Sequence, residues 1–271
     1  MTSYTHGHQA SVLRAHSWRT AQNSCAYLLS YVKPDMSILD VGCGPGTITV
    51  DLACLVPQGH VTGIEPSAEQ EEVLDKARHL ASSQGVTNLT FSRGDGHNLP
   101  FPDNMFDVVH AHQVLQHVAD PVKVLSEMKR VVKSAGGIIA VRDIDYASMV
   151  WHPPSKGLSD WHEMYERTAR ANGGEPNAGR VLLSWALKAG IPRDCIEPMV
   201  GTWCFSKSEE KEWWSGTWAE RVVQSALAKS AVEHGISTEA ELQEMATAWK
   251  SWCVAPDAWF AMLHGELICR L

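Results

Sequence analysis

Apolar positions along this chain change their period several times, and the changes mark the elements. Ile38-Leu39-Asp40-Val41 is a short apolar run followed by three glycines at alternate positions, Gly42, Gly44 and Gly46, and then by Thr47-Ile48-Thr49. That order predicts a strand, a tight turn and a helix start. Upstream, Val12, Leu13, Ala15, Ala26, Leu28, Leu29 and Val32 recur at helical spacing, so His8 to Val32 reads as one or two helices stopped by Pro34-Asp35. Downstream, an apolar strand ends at Glu65, Pro66 to Ser83 reads as a helix with a Glu- and Lys-rich outer side, and Phe106 to Val109 reads as a central strand. Asp120-Pro121 supplies an N-cap and a first-turn proline for a helix over Pro121 to Val132, and a fifth strand ends at Arg142 to Tyr146. Strands alternating with helices predict a mostly parallel sheet covered on both faces.

After Tyr146 the pattern becomes helical. Leu158 to Ala171, Ala178 to Ala189, Glu209 to Gly235 and Thr238 to Trp252 read as helices, while Cys195 to Phe205 and Trp259 to Arg270 read as two strands. Ten of the eleven tryptophans lie beyond position 150, so indole is concentrated in this half. Residues 1–146 are expected to form a leading helix and nucleotide-binding core. Residues 147–271 are expected to supply the last two strands and two helical insertions, 147–190 and 207–255, that cap the crevice.

The glycine turn carries the first chemical signal. Glycine admits positive φ and lets a ligand lie against bare main chain, and Glu65, nineteen residues after Gly46, is placed to grip the two hydroxyls of a ribose. The spacing is G-x-G-x-G and not the G-x-G-x-x-G that seats a pyrophosphate, and Asp40 precedes it. A carboxylate there repels phosphate and favours a cation, so a ligand with an ammonium or sulfonium is expected.

On these residues the chain resembles the class I S-adenosylmethionine-dependent methyltransferases, whose first motif is similar to Asp40-Val41-Gly42-Cys43-Gly44-Pro45-Gly46. The resemblance runs through about the first 145 residues. Gly63-Ile64-Glu65-Pro66-Ser67 is similar to the second motif, with Glu65 on the ribose. Gly94-Asp95-Gly96 before Leu99-Pro100-Phe101 is similar to the third, with Asp95 on the adenine amino group and the Gly96 backbone against the ring. Val131 to Gly137 resembles the family's turn into strand five, although Ser134-Ala135 replaces its usual start. Leu115-Gln116-His117-Val118 with Asp120-Pro121 resembles the ubiquinone/menaquinone biosynthesis branch, and the whole chain resembles fungal secondary-metabolite methyltransferases. The implied fold is α/β, Rossmann-like, with a seven-stranded mostly parallel sheet and helical cap insertions. The implied cofactor is S-adenosylmethionine, held by Asp40, Gly42, Gly44, Gly46, Glu65, Asp95 and Gly96, with His112 and Gln113 at its methionine end.

Methyl transfer is an in-line displacement, so the residues beside the transferable methyl matter most. His110-Ala111-His112-Gln113 ends strand four, and His110 and His112 share a face by strand alternation. His112, His117 and Asp143 are the candidate catalytic residues, as proton acceptors or as positioning groups. Packing roles stand beside these readings: His112 against the methionine portion, His117 in orienting a loop, and Asp143 or Asp145 in pairing with a nearby arginine. The tryptophan-rich cap suits a flat aromatic, polyene or alkaloid acceptor.

Composition narrows the partners. A formal charge of −8 over 271 residues and a pI near 5.9 argue against a nucleic-acid surface and favour small neutral or cationic substrates. No signal-peptide core or membrane-crossing run is read, so a soluble, cytoplasmic monomer or homodimer is expected. Seven scattered cysteines without C-x-x-C spacing predict neither disulfides nor zinc, and Cys43 reads as a packed thiol. No metal is expected. The resulting expectation is methyl transfer to carbon or oxygen, ahead of nitrogen, of a small secondary metabolite. One alternative uses the bound cofactor as a fixed charge or prop while the pocket runs a cyclisation, rearrangement or dehydration. A non-catalytic binding module is a third reading, disfavoured by the intact Asp40, Glu65 and Asp95 set.

Overall fold

The computed structural model describes residues 18–66 and 71–271. The first part of the helical run expected from His8, and residues 67–70 of the helix expected from Pro66, lie outside them. Within the described part of the leading segment are two single turns, α1 (Ala21–Ser24) and α2 (Ala26–Leu29). Thr20 caps the first turn by accepting from the Asn23 amide at 3.2 Å.

The sheet has seven strands in the order β3-β2-β1-β4-β5-β7-β6, with β1 (Ser37–Val41), β2 (His60–Glu65), β3 (Leu89–Arg93), β4 (Val108–His112), β5 (Ile138–His152), β6 (Ile196–Phe205) and β7 (Trp259–Arg270). β1 to β5 pair in parallel, and β7 runs antiparallel to both β5 and β6. The central parallel strands are buried on both faces, as their apolar composition requires: every residue of β4 is buried. The chain leaves β1 toward β2 on one side and β4 lies on the other, so a crevice opens at the carboxyl ends of β1 and β4.

Helices α3 (Thr47–Leu55), α4 (Glu71–Ser83) and α5 (Pro121–Val131) follow β1, β2 and β4. Asp120 caps α5 by accepting from the Lys123 amide at 2.9 Å, and Pro121 stands at its first position, as the sequence predicts.

Three boundaries differ from the sequence reading. Strand five does not end at Tyr146 but continues to His152, with a bulge between Asp145 and Val150, because β7 offers a partner as far as Trp259. Residues 147–152 are therefore strand and not cap. Secondly, α7 (Ala178–Lys188), which follows α6 (Lys156–Ala171), lies on the sheet, its Leu182 and Ala186 packed with Val141, Leu267 and Met128. Glycines permit that approach: a Cβ on Gly179 would meet the Asp143 carbonyl oxygen at 2.8 Å. Thirdly, the helix expected over Glu209 to Gly235 is two, α8 (Ser208–Gln224) and α9 (Ala226–Glu233), divided at extended Ser225, whose hydroxyl accepts from the Leu227 amide at 3.2 Å. α10 (Glu239–Cys253) completes the set.

α6, α8, α9 and α10 enclose their own apolar core around Trp161, Trp218 and Trp249, joined by Phe260 from β7. The Trp161 ring meets Trp218 at 4.5 Å and Trp249 at 4.8 Å, both edge-on, as aromatic quadrupoles prefer. Most of the indole is thus structural. Among the described residues no helix is long and apolar enough to cross a membrane, and all seven cysteines are free.

Candidate active site

The turn after β1 is built from backbone that only glycine adopts cheaply: Gly42, Gly44 and Gly46 have φ of 71°, 55° and 80°. The amides of Gly42 and Cys43 both donate to the Ile64 carbonyl, at 2.9 and 3.1 Å, which ties the turn to β2. Glu65, at the end of β2, closes the same link from its side chain: its Oε1 accepts from the Gly44 amide at 2.5 Å. Burial pushes the Glu65 carboxyl up to about 7, against the Gly44 hydrogen bond and with help from Asp40. Cys43 is a packed thiol, its pKa raised well above normal by burial.

Asp40 is buried beneath this turn with both oxygens engaged. Oδ1 accepts from His110 Nδ1 at 2.7 Å, and Oδ2 accepts from the Thr49 hydroxyl at 2.7 Å. Asp40 and His110 are direct register partners on β1 and β4, so the pairing follows from the sheet. His110 is therefore a structural partner of Asp40, and the carboxylate is fixed below the crevice.

Asp95 is exposed in the loop after β3. Its Oδ1 accepts from the His97 amide at 2.9 Å and faces His97 Nδ1 at 2.8 Å. Gly96 lies against Val41 and Val124, where a Cβ would be at 3.4 Å from each. This loop borders the carboxyl end of β1 on the side of β2 and β3.

On the other side, β4 ends at His112, which is buried with neither ring nitrogen hydrogen-bonded to described residues. Burial, then the charges of Arg19 and Arg142, hold its pKa well below the usual histidine value, so the imidazole is neutral at physiological pH. Gln113 turns the chain off the strand with φ of 54°. Its Oε1 accepts from Arg19 at 2.6 Å, and its Nε2 lies 3.1 Å from His264 Nε2. His117 sits on the 3-10 turn Leu115–His117 and is half-buried; burial, then Arg19 and Arg221, push its pKa down to about 3.

Asp143 is fully buried on the opposite face from Arg142. Its Oδ1 accepts from the Gln116 amide at 3.1 Å, so the carboxylate anchors the turn that carries His117. Burial raises its pKa to about 7, opposed by that hydrogen bond. Asp145 takes the structural option: Arg180 of α7 grips it through two contacts of 2.5 and 2.7 Å. His112, Gln113 and His117 thus gather at the end of β4, and Asp143 acts on them through the turn.

Sequence reasoning missed the wall beside them. Arg142, register partner of His112, donates from Nε to Glu266 Oε1 of β7 at 2.8 Å, and His264 lies two residues along the same strand. Trp203 of β6 covers these groups, with Arg142 Cζ at 4.8 Å and the His264 ring at 4.4 Å. An arginine directly after the apolar run Ile138 to Val141, within a buried strand, was the available signal.

A family model described as methyltransferase domain matches residues 32–213. An uncharacterized methyltransferase of Schizosaccharomyces pombe is 37% identical over 274 residues, covering 98% of this chain and 96% of that protein. Among solved structures, phosphoethanolamine N-methyltransferase 2 of Haemonchus contortus, in complex with phosphomonomethylethanolamine and S-adenosylhomocysteine, has a TM-score of 0.55 at 20% identity, over 92% of this chain and 52% of that one. The [4+2]-cyclase SpnF has a TM-score of 0.52 at 21% identity, over 97% of this chain and 88% of that one. Likeness at these structural identities is likeness of fold.

Proposed function

Since the chain belongs to the class I S-adenosylmethionine-dependent methyltransferases, with S-adenosylmethionine as its cofactor, we propose that it methylates a small, flat acceptor of secondary metabolism at carbon or oxygen. The observation that carries the reading is the Glu65–Gly44 link, which joins the acidic end of β2 to a left-handed glycine turn at the switch point of the sheet. The residues fit the cofactor. The glycines leave main chain bare, and with Oε1 committed to Gly44 the Glu65 carboxylate keeps Oε2 for a ribose hydroxyl. Asp95 and Gly96 border the adenine side. Asp40, fixed by His110 and Thr49, places negative potential beneath the end that carries the sulfonium. His112 and Gln113 line the methionine end.

The cofactor supplies an electrophilic methyl group on positively charged sulfur. The chain supplies position and dryness: His112 and His117 flank the acceptor, Asp143 fixes the turn bearing His117, and the helical insertions exclude water. Positive charge from Arg142 and Arg19 near the wall suits an acceptor that reacts as an oxyanion or enolate, which favours oxygen or carbon as the acceptor atom. The helices over 153–177 and 207–255 select the acceptor in this reading. A cytoplasmic monomer or homodimer fits the acidic composition and the lack of a membrane-crossing helix among the described residues.

The test is stoichiometric. Incubation with S-adenosylmethionine and flat phenolic or enolic acceptors should release S-adenosylhomocysteine mole for mole with methylated product. Product formed without S-adenosylhomocysteine would instead establish the alternative of cyclisation, rearrangement or dehydration, the first of which a protein of the same fold, the [4+2]-cyclase SpnF, carries in its name.

A further inference from the structure

Three buried hydrogen-bond donors converge beside the end of β4 with no acceptor among the described residues. Arg142 is 2% exposed, His264 0% and His112 6%, and the unpartnered atoms are Arg142 Nη1, His264 Nδ1 and both ring nitrogens of His112. The tautomer of His264 follows from its neighbour. Gln113 Oε1 accepts from Arg19, so its Nε2 is the amide nitrogen that donates to His264 Nε2, and the ring hydrogen of His264 is on Nδ1. A neutral His112 carries one further N–H in either tautomer. Arg142 spends Nε on Glu266 and keeps Nη1.

The three groups share one surface. The Trp203 ring lies 4.4 Å from His264, 4.8 Å from Arg142 Cζ and 6.0 Å from His112, and its own Nε1 is spent on the Asn23 carbonyl at 2.7 Å. Arg19 brings a second guanidinium to 5.9 Å from the same ring. The wall therefore offers donors, two guanidiniums, one of them paired with Glu266, and a flat indole, running from β4, the neighbour of β1, across β5 and β7 to β6. Each buried N–H without an acceptor costs about 1 to 3 kcal/mol, so three in one place describe the complement of a ligand.

We infer that this wall is the acceptor-recognition site and that it takes a planar oxyanion, a carboxylate or an ionised phenol or enol, on Arg142, His112 and His264 against Trp203. The inference rests on the methyltransferase reading and deepens it by fixing the charge of the acceptor, which composition alone left as neutral or cationic. An acceptor held as its anion needs no strong base from the protein, in keeping with two histidines that stay neutral. A phenol or enol gives up its proton to solvent when it binds, and a carboxylate arrives already ionised.

The protein saturated with S-adenosylhomocysteine is titrated calorimetrically with two pairs of probes: benzoate against benzamide, and 4-nitrophenol at a pH where it is ionised against 4-nitroanisole. At least one anion should bind about tenfold or more tightly than its neutral partner, as a charge-assisted hydrogen bond requires, and the pair that discriminates tells a carboxylate from a phenolate. The preference should vanish in Arg142→Gln/Glu266→Gln, which removes both members of the ion pair, and shrink in His264→Phe, which leaves that pair intact. Equal affinity for both members of each pair in the wild type overturns the inference while leaving the methyltransferase reading standing. Failure of S-adenosylhomocysteine itself to bind overturns both.

Discussion

Glu65 and Gly44 meet through a carboxylate-to-amide hydrogen bond of 2.5 Å, so the residue at the end of β2 also fixes the conformation of the turn after β1. One side chain therefore shapes the cradle and meets the cofactor, and its protonation state governs both.

Cofactor affinity should depend on pH through Glu65. Its pKa in the free protein is about 7, and ribose hydroxyls donate to the ionised carboxylate, so binding draws on the form that disappears as pH falls. Affinity for S-adenosylhomocysteine should drop toward tenfold per unit below pH 7. Glu65→Gln should flatten that dependence and weaken binding at pH 8 by about 1.5 to 3 kcal/mol. Calorimetry from pH 5 to 8 checks both, and a flat wild-type profile would remove Glu65 from the ribose.

Gly46→Ala should damage the fold as well as the site. A Cβ there would sit 2.8 Å from Ala77 Cβ and 2.9 Å from Phe91 Cζ, on a residue with φ of 80°. Strain and overpacking together should cost about 2 to 4 kcal/mol in chemical denaturation. A loss under about 0.5 kcal/mol would contradict the packing described for the turn.

The histidines predict a pH profile by what it lacks. His117 titrates near 3 and burial holds His112 well below its usual value, so neither changes charge near pH 6.5. Single-turnover rates of His112→Ala and His117→Ala, with cofactor saturating, should fall without any limb near pH 6.5 being gained or lost. A wild-type limb near 6.5 that disappears in either variant would make that histidine the base.

Asp143 should leave its mark on stability. Its folded pKa of about 7 exceeds the unfolded value near 3.8, so the folded state holds a proton that the unfolded chain has already lost. This group's contribution to stability is therefore fully present below about pH 4 and is lost as pH rises toward 7, by roughly 2 to 4 kcal/mol. Asp143→Asn keeps the acceptor for the Gln116 amide and should lessen the decline in urea titrations across that range, the remainder belonging to Glu65, whose carboxyl is raised to about 7 in the same direction. A variant with the wild-type slope would show that Asp143 is not the titrating group.

How far the sequence could be read depended on the distance over which each feature is encoded. The glycine turn and Glu65 were legible because strand, turn and acidic end lie within 28 residues of one another and their spacing is the signal. The Asp120 cap and Pro121 were legible for the same reason. The end of β5 was not, because residues 147–152 are held as strand by β7, more than 100 residues away, across a bulge that breaks the alternation. Helical periodicity announced Ala178–Lys188 but could not say which surface it covers; Gly179 and Gly265 decide that. The Arg142–Glu266 pair spans 124 residues, and no local pattern reports it.

β7 carries Phe260 in the indole core near its start and His264 and Glu266 in the donor wall at its middle, paired with β6 along its length and with β5 on both sides of the bulge. The helical insertions are therefore poor modules for transplantation. A chimaera cut at the helix ends would graft a foreign apolar core onto a native Phe260 and shift the strand that holds the wall. A workable exchange should move β5 beyond the bulge, β6, β7 and the intervening helices as one block, or leave all of them in place.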